Sequence, residues 1–201
     1  MKRRVYPLVL ALVLMVFFCA CGGYDAEKST IFVDKDGTVT ETSVEKMDQS
    51  YYSESELESF ITEEIAEFQS TEGTVEETGY EMEDGTATLT LTYSNWKTYA
   101  DFNRRIFYTG TVVKAQAEGF DFDTTFTKTE DGTTAAVDEV LEIPERKIVV
   151  LETSIGVNIK VPGRILYVSD HVTTDEKDKG LATVEKSKNE SMTELAYIIY
   201  K

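Results

Sequence analysis

The chain has 201 residues, with 20 Lys and Arg against 37 Asp and Glu, a formal net charge of −17, and 41% hydrophobic residues. That apolar share can build a packed core, which excludes a wholly disordered chain. The acidic balance opposes nucleic-acid binding, because phosphates would be repelled. One His and two Cys leave few groups for metal, redox or nucleophilic chemistry.

The chain starts Met1, Lys2, Arg3, Arg4, followed by an apolar run over residues 5–18 and then Cys19-Ala20-Cys21-Gly22-Gly23. A positive start, a short apolar stretch and small residues behind it read as a secretory signal, residues 1–20. The run is about 14 residues long, against the roughly 20 that a membrane-spanning helix needs. Ala20-Cys21-Gly22-Gly23 resembles the end of the lipobox of bacterial lipoproteins, with Phe18 standing where Leu is usual. The resemblance implies a diacylglyceryl group on the Cys21 thiol and cleavage after Ala20. Cys19 fits less well, since bulky Phe18 would sit at its cleavage position.

Two or three acyl chains on Cys21 would hold the protein at a membrane surface outside the cytoplasm, because each buried CH₂ contributes about 0.8 kcal/mol. Loss of Lys2, Arg3 and Arg4 would leave 17 basic against 37 acidic side chains. Such a chain stands off from anionic head groups. Cys21 would then be the only Cys, already acylated, so no disulfide is expected. Residues 21–29 read as a lipidated tether and residues 30–201 as a single α+β extracytoplasmic domain.

Within that domain Ile31-Phe32-Val33 is a short strand. Asp34-Lys35-Asp36-Gly37 is a tight turn, since Asp-Gly supplies the positive φ that a hairpin needs. Its carboxylate spacing does not make a calcium loop: counted as an EF-hand, the first and last ligands would be Phe32 and Ser43. Residues 38–47 continue as a Thr-rich strand. Ser53 with Glu56 forms a capping box. The helix behind it, about residues 53–69, puts Leu57, Phe60, Ile61, Ile65 and Phe68 on one stripe and leaves Glu58, Glu63, Glu64 and Glu67 wet.

Asp84-Gly85 is a second turn. In residues 86–93 Ala87, Leu89, Leu91 and Tyr93 alternate with four Thr, the pattern of a half-buried antiparallel strand. Ser94 or Asn95 caps a second helix, about residues 95–107, with Trp96, Tyr99, Ala100 and Ile106 inward and Arg104 and Arg105 in its last turn. Residues 122–128 read as a strand leading to a third turn, Asp131-Gly132. Each turn is followed by Thr (Thr38, Thr86, Thr133), which suggests a ββα-like unit used repeatedly, its third helix a stub over residues 137–143.

Residues 147–152 form a continuous apolar strand, central in a sheet. Ile155, Val157, Ile159 and Val161 alternate with polar residues, and Pro162-Gly163 would turn the chain into a hairpin partner at 165–168. Leu195-Ala196-Tyr197-Ile198-Ile199-Tyr200 is a last strand pinned into a sheet. The expected architecture is an antiparallel sheet of Thr-rich hairpins with the two main helices packed on one face.

The stretch Lys35-Asp36-Gly37-Thr38-Val39-Thr40-Glu41, the Tyr51-Tyr52 pair before an acidic helix and the Ala196-Tyr197-Ile198-Ile199-Tyr200 end are similar to secreted lipoproteins of uncharacterised function from anaerobic Gram-positive bacteria. That resemblance implies no activity. His171, beside Asp170, is the only imidazole, and no Ser or Cys motif frames it. Phe120-Asp121-Phe122-Asp123 and Phe126 interleave rings with carboxylates; the simpler reading is Phe inward and Asp outward, the functional one a patch for cations or sugars. Trp96 and Tyr99 could stack on a sugar ring but have core spacing.

No catalytic set, metal site or cofactor is expected. The function expected is a lipid-anchored surface protein working by non-enzymatic binding or as part of the envelope. The alternatives are a solute-binding lipoprotein partnered with a transporter and an extracellular hydrolase using two carboxylates.

Overall fold

The computed structural model describes residues 27–49, 52–68, 73–188 and 193–201. The expected signal segment, Cys21, most of the tether and Tyr51 lie outside them. The described residues form an α+β fold, as expected. Its first half runs β1 (Thr30–Val33), β2 (Val39–Lys46), α1 (Glu54–Glu67), β3 (Val75–Glu83), β4 (Thr86–Tyr93), α2 (Trp96–Asn103), β5 (Phe107–Thr111) and α3 (Val112–Ala117). There follow β6 (Phe126–Lys128), β7 (Thr134–Ala135), α4 (Val137–Leu141), β8 (Lys147–Glu152), β9 (Val157–Lys160), β10 (Ile165–Ser169), β11 (Val172–Thr174), β12 (Leu181–Val184) and β13 (Leu195–Tyr200).

The strands divide into two sheets where the sequence reading has one. The seven-stranded first sheet has the order β11-β12-β9-β1-β2-β4-β3, and the six-stranded second sheet β5-β8-β13-β10-β6-β7. All pairings are antiparallel except β1 with β9, which puts Ile31 beside Ile159.

The three Asp-Gly turns close β1–β2, β3–β4 and β6–β7. Their chemistry is local. Gly37 (φ 95°), Gly85 (φ 73°) and Gly132 (φ 72°) take the left-handed region, where a Cβ is disfavoured. Asp36 Oδ1 accepts from Thr38 N at 3.0 Å, and Asp131 Oδ1 from Thr133 N at 3.0 Å. Helix starts are equally local: Ser53 Oγ accepts from Glu56 N, and Asn95 Oδ1 from Thr98 N at 3.0 Å.

One face of each sheet feeds a single apolar cluster. Ile31, Val33, Val39, Leu91, Tyr93 and Ile159 come from the first sheet, and Val149, Leu151, Ala196 and Ile198 from the second. The second sheet is covered again on its other face, where Ile148, Val150, Tyr197 and Ile199 meet Val112, Ala115 and Val140 of the short helices. Burial on both faces is why β8 and β13 read as continuous apolar runs rather than alternating ones. Leu57, Ile61 and Ile65 of α1 pack on the first cluster, and so do Tyr99 and Phe102 of α2. The outer face of the first sheet carries threonines that bond across strands: Thr42 with Thr90 at 3.1 Å, Thr40 with Thr92 at 3.3 Å, and Thr78 with Thr92 at 3.1 Å.

Four local expectations are corrected. Phe60, expected inward, is 57% exposed. The second helix stops at Asn103 because Arg104 turns left-handed (φ 52°), so Arg104 caps the helix instead of lying in its last turn, and Ile106 is exposed. Residues 122–125 are not a strand, since Phe122 has φ 57°. Finally, β9 and β10 are not hairpin partners. The chain crosses between sheets at Pro162-Gly163, where Arg164 N donates to Lys201 O at 3.0 Å and Lys201 N to Arg164 O at 3.1 Å. A Cβ on Gly163 would sit 1.9 Å from the Lys201 carbonyl oxygen, so only glycine lets the two segments approach this closely.

Ile198 is fully buried between the sheets. Ile198→Ala should lower the unfolding free energy by about 2–5 kcal/mol, the range for large-to-small core changes. Urea denaturation followed by circular dichroism measures it.

Candidate functional site

Two features that lie far apart in the sequence meet at one cleft of about 660 Å³, lined among others by Asp121, Asp123, Asp170, His171, Glu194 and Tyr197. β10 ends at Ser169, and Asp170-His171 turn the chain into β11, with His171 in the left-handed region at φ 66°. Tyr197 reaches the cleft from the helix-covered face of β13, and its hydroxyl donates to Asp121 Oδ1 at 3.4 Å. Burial, then the negative charge of Asp121, pushes the Tyr197 phenol up to about 12. Asp121 Oδ1 also accepts from Asp123 N at 3.2 Å, which helps hold Phe122 in its left-handed conformation. Phe122 is buried with its ring centroid 5.1 Å from that of Tyr197, while Asp121 and Asp123 are exposed. The rings therefore point in and the carboxylates out, on a loop instead of the expected strand.

Glu194 is the best-anchored carboxylate of the cleft. Its backbone oxygen accepts from Thr153 N at 2.9 Å and Thr153 Oγ1 at 3.2 Å. Its Oε2 accepts from Ser187 Oγ and lies 3.3 Å from His171 Nε2. The arrangement offers carboxylates, a phenol and an imidazole to a cationic or hydroxyl-rich ligand. Among the described residues no group of three or more His, Cys, Asp or Glu could hold a metal ion.

A second polar site centres on Glu41, a residue that the strand pattern of β2 does not single out. Glu41 lies on the inward face of β2, in register with Ile31 of β1 and Leu91 of β4. Its Oε2 accepts from the Tyr93 hydroxyl and its Oε1 from the Tyr99 hydroxyl, each at 3.4 Å. Asn103 Nδ2 donates to Tyr93 Oη at 3.2 Å and to Tyr99 O at 3.1 Å, tying α2 to the same network. Loss of hydration raises the Glu41 pKa above the usual carboxylate range, although Arg105 and the two phenols pull the other way. The tyrosines are raised as well, first by burial and then by the charge of Glu41.

A third feature is an apolar groove of about 480 Å³ between α1 and the inward face of β2 and β4. Met47, Leu57, Phe60, Ile61, Ala87 and Leu89 line it, with Glu45, Lys46 and Glu56 also in its wall.

The remaining candidates have plain structural places. Asp34 and Asp36 belong to the β1–β2 turn. Tyr99 is core, with its ring 5.0 Å from Tyr93 and 4.5 Å from Phe107. Trp96 is half-buried and packs edge-on to Tyr108 at 4.9 Å. Glu58, Glu63, Glu64 and Glu67 of α1 are exposed. Cys21 lies outside the described residues. No known protein family, curated protein or solved structure matches the chain.

Because the folded state holds a proton on Glu41 more tightly than the unfolded chain, burying this carboxylate costs stability once the pH rises above the ordinary carboxylate range. Glu41→Gln should therefore melt above the parent at pH 7. The gap should close as the pH falls to about 3, where Glu is protonated in both states. Calorimetry across that range checks the sign.

Proposed function

We propose that this is a lipid-anchored extracytoplasmic surface protein, held by an acylated Cys21 on the outer face of the cell membrane and working by non-enzymatic binding or as a structural part of the envelope. The observation that carries the reading is Ala20-Cys21-Gly22-Gly23 placed directly behind a basic start and a short apolar run. Residues 1–20 serve as the signal and 21–29 as the tether, and the domain beyond is built from Thr-rich hairpins. Supporting this, β1 starts at Thr30 as an inner strand of the first sheet. From Cys21 to Ser29 the chain spans at most about 28 Å, so the tether keeps the domain beside the bilayer. No helix among the described residues is long and apolar enough to cross a membrane.

Cys21→Ser should move the protein from the membrane fraction to the medium, and globomycin, which blocks the lipoprotein peptidase, should raise the apparent mass of the parent. A variant that stays with the membrane, or a mass that does not change, would remove the anchor from the account.

The convergence of Asp121, Asp123, Asp170 and Glu194 on one open cleft favours a second reading, an extracellular hydrolase in which one carboxyl gives a proton and another supplies a base or nucleophile. In that case Asp121→Asn or Glu194→Gln should cut hydrolysis of cell-wall polysaccharide by about 100-fold or more. Parent protein that releases no reducing ends sinks it.

A further inference from the structure

We propose that the apolar groove between α1 and the paired strands β2 and β4 is the seat of one acyl chain of the lipid carried on Cys21. The inference rests on the reading of Cys21 as acylated and adds a second place, besides the bilayer, where that lipid can lie. Three observations carry it.

The first is the surface itself. Phe60 stands at the groove with 57% of its surface exposed, beside Met47, Leu57 and Leu89. Hydrocarbon moved from a bilayer into the groove exchanges one apolar surrounding for another. The drive comes from covering protein surface that water otherwise wets.

The second is size. A methylene takes about the space of a water molecule, roughly 30 Å³. A groove of about 480 Å³ therefore has room for one long chain.

The third is position and charge. Ser29, where the tether joins the sheet, is bonded to β2 beside the groove: Val44 N donates to Ser29 Oγ at 3.0 Å. The next two residues, Glu45 and Lys46, are part of the groove wall. Eight residues back, Cys21 is within about 28 Å of this point, which keeps its lipid at high effective concentration. The wall holds two carboxylates, Glu45 and Glu56, against the single ammonium of Lys46, in a chain of net charge −17. That balance opposes a fatty-acid carboxylate or a phospholipid phosphate. A diacylglyceryl thioether has no charged head, so its chain can enter without this repulsion.

The test uses the full chain, made in a lipoprotein-processing bacterium fed a diazirine-bearing palmitic acid. Intact mass first shows whether Cys21 carries the label. The purified protein is then irradiated in nanodiscs holding one copy each, and cross-linked peptides are mapped. The expected result is cross-links from the Cys21 lipid to the peptides holding Met47, Leu57, Phe60 or Leu89. Phe60→Glu, at an exposed position, should leave the melting temperature unchanged and reduce these cross-links by about tenfold. Label on Cys21 with cross-links only to bilayer lipids would overturn this inference and leave the anchor standing. An unacylated Cys21 would overturn the anchor reading and this one together.

Discussion

The second sheet depends on the insertion of β13. Ala196, Ile198 and Tyr200 turn toward the first sheet, while Tyr197 and Ile199 turn toward the short helices, so one six-residue segment stitches both apolar clusters together. Its backbone is used as fully as its side chains, with β8 on one edge and β10 on the other. Two cleft-forming groups at and beside β13 follow from that placement. Glu194 stands just before its first residue, held by Thr153, and Tyr197 projects from its middle toward Asp121. A slip of this strand by one residue would exchange the side chains that the two clusters receive, and each cluster is packed around the shapes it has.

The parts of the fold that were legible in the sequence are those set by near neighbours. An Asp-Gly pair needs only its own φ angles to make a turn, and the three turns are where they were read. Ser53 and Asn95 announce their helices through bonds made within three residues. The runs at 147–152 and 195–200 were plain because burial on both faces leaves no polar alternation to misread. The division into two sheets was hidden because it depends on distant pairings. Thr30 lies beside Asn158, and nothing near either residue signals it. Pro162-Gly163 has the local look of a hairpin turn, yet what decides it is a close contact with Lys201.

The candidate sites divide the same way. His171 and the Asp121 stretch each stood out for residue type, but their meeting is a product of the crossing strands. Glu41 carries a signal of its own: in Val39-Thr40-Glu41-Thr42 the carboxylate shares the parity of inward Val39, not that of the outward threonines. Phe60 is the opposite case. Its spacing placed it on the apolar stripe of α1, but the core is filled by Leu57, Ile61 and Ile65, and Phe60 is left at the edge of a groove.

The place of β13 in the chain has a consequence for biogenesis. Every strand of its sheet precedes it: β5, β6, β7, β8 and β10 are all made before residue 195. While the polypeptide is still emerging from a ribosome, that layer therefore has a gap at its centre and cannot lock. A sheet whose central strand is made after all its neighbours stays pliable until that strand arrives, and sets only then.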